Sequence, residues 1–264
     1  MISMKNNSKT LSAILALSLL SAGVSIISTQ ASFAATPVGK TISKAAAEKL
    51  LKAAITKSKE YIKKSPYTIK NSGYNGGDSL ETDLYAADSK GNAVEHTPFG
   101  KETILIGNEY YTTEETGLNA SDLAIAKKLG LNVKAKFSHR NVKEFQPPMS
   151  NKEWNESLRS GAALNFASNY PLSDAMKSDP KGKLTLKTQG KEQTITFTDS
   201  LLGNRDLWTI SNGMLTSHVI YNNENKVEFK ETLVLKAAKI TAPKGPFFEV
   251  GVLLADPKFK ASQG

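Results

Sequence analysis

Hairpin-linked strands in the C-terminal part of the chain limit its possible folds more than any other feature. From 183 to 235, runs of β-type residues such as KLTLKT and KEQTITFT alternate with short turns. The pair Asn212-Gly213 is the clearest turn signal, because both residues accept the positive φ angles of a type I′ turn. Strands joined by such tight turns pair antiparallel, so the sequence predicts an antiparallel sheet. Pro243 and Pro246 end this sheet, since proline cannot donate a hydrogen bond within a central strand.

The same turn predicts which side chains share a face of its hairpin. In a two-residue loop, Ile210 lies opposite Leu215 and Trp208 lies opposite Ser217. The predicted shared face consists of Trp208, Ile210, Leu215, Val219 and Tyr221. His218 then falls on the other face, where we predict it to be exposed.

A long amphipathic helix precedes the first strands. Between Ser43, a good N-cap, and Pro66, which stops a helix, apolar residues recur at helical spacing. The stripe consists of Ala47, Leu50, Leu51, Ala54, Ile55, Ser58, Tyr61 and Ile62, and lysines occupy most other positions. The pattern favours a helix laid across a sheet with solvated lysines, although a membrane-surface helix would look similar.

The remaining elements complete an α+β layout. Strands are predicted from Tyr67 onward, with a hairpin tip at Gly107-Asn108. Residues 118–176 then interrupt the sheet with helical stretches, the first of them capped by Ser121. The order of helix, strands, helical insertion and strands predicts an antiparallel sheet with helices on one face. The apolar segment 247–257 fits either a last strand or a packing segment.

The N-terminus predicts export. An uncharged apolar run, Leu11–Ile27, follows two lysines and precedes a cluster of small residues. This pattern indicates a cleavable signal peptide over residues 1–34, cut near Ala34-Ala35; an uncleaved anchor is the alternative. We therefore expect a secreted, extracytoplasmic protein of the cell envelope, with residues 35–264 forming a single domain.

Composition narrows the function classes. The chain has no cysteine, which excludes thiol catalysis, thiolate metal sites and disulfides. Its net charge of +9 comes almost wholly from lysine, since only Arg140, Arg159 and Arg205 are arginine. Base reading and bidentate phosphate recognition favour arginine, so we predict no nucleic-acid partner. The lysines of the first helix could meet an anionic membrane surface, or they could simply confer solubility.

No catalytic or metal-binding pattern is recognisable. The sequence lacks GxSxG, SxxK and HExxH motifs and a phosphate-binding glycine loop. His96, His139 and His218 each lack a second histidine at metal-ligand spacing. We therefore predict a protein that is not an enzyme and holds no cofactor or metal, while a hydrolase with a non-obvious site stays open.

The apolar face of the C-terminal strands has two interpretations. It is either an ordinary core beneath helices or the lining of an incompletely filled cavity that accepts an acyl chain. Both need the same residue types, so the residues alone leave the choice open. The candidate lining consists of Leu186, Phe197, Trp208, Ile210, Val219, Tyr221, Phe229 and Leu233.

This order of elements resembles the lipoprotein-carrier superfamily. The most similar stretch is 206–245, DLWTISNGMLTSHVIYNNENKVEFKETLVLKAAKITAPKG, in which an Asn-Gly hairpin leads through two strands to an ITAP ending. It is similar to LolA-type periplasmic carriers and, more closely, to the mycobacterial LppX/LprG type of envelope lipid carrier. The lipobox cysteine common in that branch is absent here.

The resemblance implies a half-barrel, in which helices cover the concave face of a strongly curved antiparallel sheet. An apolar cavity for a lipid or acylated ligand would lie between them, and the insertion 118–176 would be its lid. The side chains implied at this cavity are Trp208, Ile210, Val219, Phe229 and Leu233. The protein would be a monomeric carrier; the alternative is an envelope protein-interaction or sensor module with a filled core and no lipid.

Overall fold

A 13-stranded sheet organises the part of the chain that the structure describes. This computed structural model describes residues 39–74, 80–97, 100–113, 118–145, 148–168 and 171–262. The predicted signal peptide, 1–34, lies outside these ranges. None of the described helices is both long enough and apolar enough to cross a membrane.

The strands follow one another in two antiparallel meanders. They are β1 (Lys40–Thr41), β2 (Tyr67–Tyr74), β3 (Leu80–Ala87), β4 (Ala93–His96), β5 (Glu102–Ile106), β6 (Glu109–Thr112), β7 (Phe137–Asn141), β8 (Lys183–Gln189), β9 (Glu192–Thr198), β10 (Arg205–Ser211), β11 (Met214–Tyr221), β12 (Val227–Val234) and β13 (Phe247–Glu249). Their order in the sheet is β1-β8-β9-β10-β11-β12-β2-β3-β4-β5-β6-β7-β13, and among these described strands only β13 pairs in parallel, with β7. The sheet is curved and does not close on itself, so the predicted α+β half-barrel is confirmed.

Helices cover one face of this sheet. They are α1 (Lys44–Lys64), α2 (Ala120–Lys128), α3 (Asn151–Asn165), α4 (Leu172–Ser178), α5 (Val250–Ala255) and α6 (Pro257–Ser262). The main hydrophobic core lies between this face and α1 and α3. A separate cluster of Ala126, Phe248, Leu253 and Phe259 joins α2, β13, α5 and α6.

Helix α1 forms where its periodicity predicts. The Ser43 side chain accepts a hydrogen bond from the Ala46 N–H at 3.3 Å, which caps the first turn. The buried stripe is Ala47, Leu51, Ala54, Ser58 and Ile62. Small residues in this stripe let the helix approach β11 closely, and the Ser58 hydroxyl donates to the Leu215 carbonyl at 3.0 Å. Two of its lysines are not simply solvated: Lys57 donates to the Asn212 carbonyl at 2.7 Å, and Lys59 to that of Leu164 at 3.2 Å.

The Asn212-Gly213 hairpin confirms the turn and corrects the register beyond it. The two residues have φ angles of 53° and 75°, and Ile210 pairs with Leu215 as predicted. A β-bulge then adds one residue to β11, so that Trp208 pairs with His218 and not with Ser217. A shift of one residue moves every later side chain to the other face.

This bulge overturns three sequence-based predictions. His218 is buried on the Trp208 face, with only 2% of its surface exposed, whereas we predicted it to be exposed. Val219 and Tyr221 lie on the opposite face, where their strand partners are Leu207 and Arg205.

The insertion 118–176 is not wholly helical. It contains β7, a full member of the sheet between β6 and β13. The cap of α2 is also different from the prediction: the Asn119 side chain, not that of Ser121, accepts the Asp122 N–H at 2.9 Å. The lid role of this insertion is not tested by the fold and stays a prediction.

Candidate functional site

Most of the predicted cavity lining on the C-terminal strands is buried in the main hydrophobic core. Phe197, Trp208, Ile210 and Leu233 are each at most 4% exposed and pack beneath α1 and α3. Phe229 is buried beside the His218 ring, and Leu186 packs at the edge of the core. Their role in ligand binding stays a prediction. Val219 and Tyr221 lie on the other face of the sheet, and no member of the predicted set borders the two cavities described below.

A cavity of about 310 Å³ lies on the same face of the sheet but at its other end. Strand pairing connects the two regions, because Tyr67, Ala87, Ala93, Leu105, Tyr110 and Arg140 are successive partners from β2 to β7. The cavity is bounded by β6, β7 and β13 on the sheet side and by α5 and α6 on the other. It is therefore a space between sheet and helices, as expected for this architecture, but not at the predicted strands.

The cavity wall combines apolar and polar residues. Its apolar residues come from β13, α5, α6 and the segment before α2: Leu118, Phe248, Val250, Leu253, Leu254 and Phe259. Its polar groups come from alternate positions of β6 and β7: Tyr110, Thr112, Ser138 and Arg140. Such a wall matches an amphiphile better than a purely apolar molecule.

Aromatic stacking positions the charged group of this wall. The Arg140 guanidinium lies 3.5 Å from the centre of the Phe145 ring and 5.6 Å from that of Tyr110. Phe145 in turn stacks on Trp154 of α3, with ring centres 4.9 Å apart and planes 23° apart. The guanidinium thus rests on a packed aromatic base, which limits its conformational freedom.

The opposite face of the same strands carries a charged cluster of Glu109, His139 and Glu249, which we call the His139 clasp. His139 on β7 contacts Glu249 of β13 through Nδ1 at 2.6 Å and Glu109 of β6 through Nε2 at 2.8 Å. Tyr111 stacks on the imidazole, with ring centres 4.8 Å apart, and Phe247 packs beside it. Burial alone would lower the pKa of His139, but the two carboxylates outweigh it and raise that pKa above its usual 6.5.

This clasp should make the docking of β13 depend on pH. Because the folded-state pKa of His139 is raised, its contribution is fully present below about pH 6.5 and is lost as the pH rises through the folded-state value. We expect His139→Gln to lower the free energy of unfolding at pH 5.5 and to have a smaller effect at pH 9. His96→Gln on β4 is the control, and urea unfolding at both pH values is the measurement. An effect of His139→Gln that does not change with pH would contradict the clasp.

A second cavity is smaller, at about 130 Å³, and lies between α3 and strands β2 to β4. Its lining includes Tyr67, Tyr85, Glu95 and Gly161. Ligand sites usually measure about 300 to 1,000 Å³. The second cavity falls well below this range, and the first lies at its lower end.

His218 and Glu231 are titratable groups buried beside the main core. His218 stacks on Trp208 with ring centres 4.8 Å apart, and burial lowers its pKa to about 4. Glu231, its strand partner, is 1% exposed, and burial raises its pKa to about 7. The Glu231 carboxylate accepts the backbone N–H of Ala167 at 3.0 Å, at the C-terminal end of α3. These groups line neither cavity. Within the described ranges no three His, Asp or Glu side chains are arranged to hold a metal ion.

Sequence reasoning missed the cavity because its wall is assembled from distant segments. The tail 247–257 is recognisably apolar, and the structure shows that both interpretations of it hold, since it forms β13 and then the packing helix α5. Its parallel pairing with β7, however, joins residues about 110 positions apart and leaves no local signal. Arg140 stands out in the sequence only as one of the chain's few arginines.

The fold and the cavity together define a half-barrel with a space between sheet and helices. No family model matches this chain, and no curated protein matches it. Among solved structures it is similar to an uncharacterized conserved protein from Thermus thermophilus, with 9% identity, a TM-score of 0.27, and 74% of this chain and 90% of that chain covered. It is also similar to a LolA superfamily protein from Nitrosomonas europaea, with 8% identity, a TM-score of 0.23, and coverage of 74% and 94%. MucB of Pseudomonas aeruginosa, solved in complex with MucA, matches with 11% identity, a TM-score of 0.29, and coverage of 81% and 62%.

Proposed function

We propose that this protein is a non-enzymatic binding protein that holds one acyl chain of a lipid or acylated molecule in the cavity beneath α5 and α6. The observation that carries the proposal is the 310 Å³ space whose wall combines apolar residues of β13, α5 and α6 with polar groups of β6 and β7. Leu253, Phe248 and Phe259 are each at most 7% exposed, so a bound chain would be shielded from water. The proposal moves the ligand from the Trp208 strands to the strands β6, β7 and β13.

The energetics favour a single chain. Each methylene group removed from water contributes about 0.8 kcal/mol, so an acyl chain of moderate length is a sufficient driving force. A volume near the lower limit for ligand sites accommodates one short chain or part of a longer one, and not several chains. Transfer from a membrane, which is itself apolar, would have a small net free energy and would be reversible. Such reversibility is what a carrier requires.

Filling the cavity should weaken binding without unfolding the protein. Val250 lines the cavity, whereas Val252, two residues further along α5, is 49% exposed and outside it. We expect Val250→Trp to weaken the binding of decan-1-ol at least tenfold, because the indole occupies the space of the chain. Val252→Trp is the matched control and should bind like the wild type. Isothermal titration calorimetry measures both, and equal binding by the two variants would place the ligand elsewhere.

A protein-interaction or sensor module without a lipid is the second candidate. The packing of Phe197, Trp208, Ile210 and Leu233 in the main core beneath α1 and α3 supports it. Native mass spectrometry of protein purified from an envelope separates the two: a co-purifying lipid in near-stoichiometric amount supports the carrier. A clean apo mass, with no uptake from vesicles, supports the interaction module. The membrane-docking role of the α1 lysines stays a prediction in either case.

A further inference from the structure

We propose that residues 247–262 act as one movable wall of the cavity, which docks against β7 and α2 over a bound ligand and undocks to release it; this rests on the proposed acyl-binding function. These residues comprise β13, α5 and α6, and we call them the C-terminal flap. The His139 clasp is the latch of the flap, and it lies on the face of the sheet opposite to the cavity.

The C-terminal flap forms a large part of the cavity wall. Phe248 of β13, three residues of α5 (Val250, Leu253 and Leu254) and Phe259 of α6 line the cavity, and β6 and β7 bound it on the sheet side. A displacement of the flap from β7 would therefore open the cavity. The position of the flap decides whether a bound chain is enclosed.

The flap packs separately from the main hydrophobic core. Its buried residues Phe248, Leu253 and Phe259 form a cluster with Ala126 of α2, whereas the main core lies beneath α1 and α3. The flap packs mainly against β7 and α2. An element that contributes to a separate cluster can open locally while the rest of the protein stays folded.

The attachment of the flap to the sheet is also short. Strand β13 has three residues, each paired with one residue of β7, and it is the last strand in the order of the sheet. Residues 235–246, which connect β12 to β13, form neither helix nor strand. So short a strand at the end of a sheet should separate from its neighbour more easily than a central strand does.

The His139 clasp couples this short strand to the cavity wall. Nδ1 of His139 contacts the Glu249 carboxylate at 2.6 Å, and Nε2 contacts that of Glu109 at 2.8 Å. Phe248, adjacent to Glu249 in β13, lines the cavity from the other face of the strand. An intact clasp therefore holds Phe248 in the wall. His139 is a positioning residue, because it acts on the cavity through β13 and does not line it.

Ligand binding and docking of the flap should stabilise each other. A chain that packs against Leu253 and Phe259 loses these contacts when the flap undocks, so it binds the docked state more tightly. Such a ligand lowers the fraction of undocked molecules by a factor that grows with its concentration.

Hydrogen exchange followed by mass spectrometry tests the proposal, with decan-1-ol as the probe. In the free protein we expect amides of the flap to exchange at least about tenfold faster than those of β10 and β11, because the flap opens without global unfolding. Decan-1-ol at about ten times its Kd should slow exchange in the flap about tenfold. Equal exchange rates in the flap and in β10 and β11 would overturn the proposal.

Breaking the latch should release the flap. His139→Gln should speed exchange in the flap about fivefold and leave that of β10 and β11 unchanged, because it removes the charged partner of Glu249. His96→Gln on β4 is the matched control and should exchange like the wild type. An unchanged flap in His139→Gln would show that the clasp is not the latch.

A reversible cross-link provides the opposite change. The chain has no cysteine, so His139→Cys combined with Glu249→Cys allows a single disulfide, and paired residues of adjacent strands are close enough to form it. Oxidation should slow exchange in the flap of the free protein at least about tenfold, and reduction should reverse this. Lys187→Cys with Thr194→Cys, partners in β8 and β9, is the matched control and should leave the flap unchanged.

Calorimetry with decan-1-ol separates this proposal from the proposed function. Binding without slower exchange in the flap would overturn the movable wall and leave the proposed function standing. Failure of the wild type to bind decan-1-ol would overturn both.

Discussion

Replacing Arg159 with leucine should lower the free energy of unfolding by about 3 to 5 kcal/mol, because it removes one buried cation from several backbone acceptors at once. The Arg159 side chain is 6% exposed and donates to three backbone carbonyls, those of Ile62, Ser65 and Asp88, at 2.7 to 3.0 Å. Its Nε also donates to the Asn155 side chain at 2.7 Å. Leucine would leave these acceptors buried without their donor, and each such loss costs about 1 to 3 kcal/mol.

Arg205→Leu provides the matched control for this substitution. Arg205 is on β10 and donates to the exposed side chain of Asn225, so its loss should change stability by no more than about 1 kcal/mol. Urea unfolding followed by tryptophan fluorescence measures both variants at neutral pH. Similar stabilities of the two variants would show that water replaces Arg159 at the three carbonyls and that α3 does not depend on it.

Replacing Glu231 with glutamine should stabilise the protein at high pH. Burial raises the pKa of Glu231 to about 7 from its ordinary value of 4.5, so ionisation is harder in the folded state. The contribution of the neutral carboxyl is fully present below about pH 4.5 and is lost as the pH rises through 7. At about 1.4 kcal/mol per pKa unit, the loss amounts to roughly 3 kcal/mol at pH 8. Glutamine is neutral at every pH and can still accept the Ala167 N–H.

The expected signature is therefore a difference that depends on pH. Glu231→Gln should be about as stable as the wild type at pH 4.5 and about 2 to 3 kcal/mol more stable at pH 8. Glu192→Gln, at an exposed position of β9, is the control and should show no such trend. His218 acts in the opposite direction, because its lowered pKa makes stability fall as the pH drops from 6.5 towards 4. His218 is present in both proteins, so its contribution cancels when Glu231→Gln is compared with the wild type. If the free energies of unfolding of the two proteins differed by a constant amount from pH 4.5 to 8, the buried carboxylate could not be the source of the difference.

Local signals in the sequence predicted the local structure well. The Ser43 cap, the stripe of α1 and the Asn212-Gly213 turn depend on residues within a few positions of one another, and all three form as expected. The antiparallel sheet and its α+β class follow from several such hairpins in succession. These features could be predicted from the sequence because the interactions that form turns and helices join residues a few positions apart.

Features that depend on residues far apart in the sequence could not be predicted in this way. The bulge in β11 is one extra residue in an otherwise regular alternation, and it exchanges Val219 for His218 on the core face. Strand β7, with the sequence FSHRN, has only one apolar residue, and it is a strand because β6 and β13 pair with it on both sides. The cavity depends on that pairing, so its position could not be read from the residues of any one segment.

The separation between the main core and the cluster around Leu253 has a consequence for how such a protein can diversify. The residues that hold α1 and α3 on the sheet belong to one cluster, and most residues of the apolar cavity wall belong to another. Substitutions in this wall therefore do not directly alter the packing of α1 and α3 on the sheet. Under the proposed function, a few substitutions in β13 and α5 would change the bound molecule without altering the residues that hold α1 and α3 on the sheet.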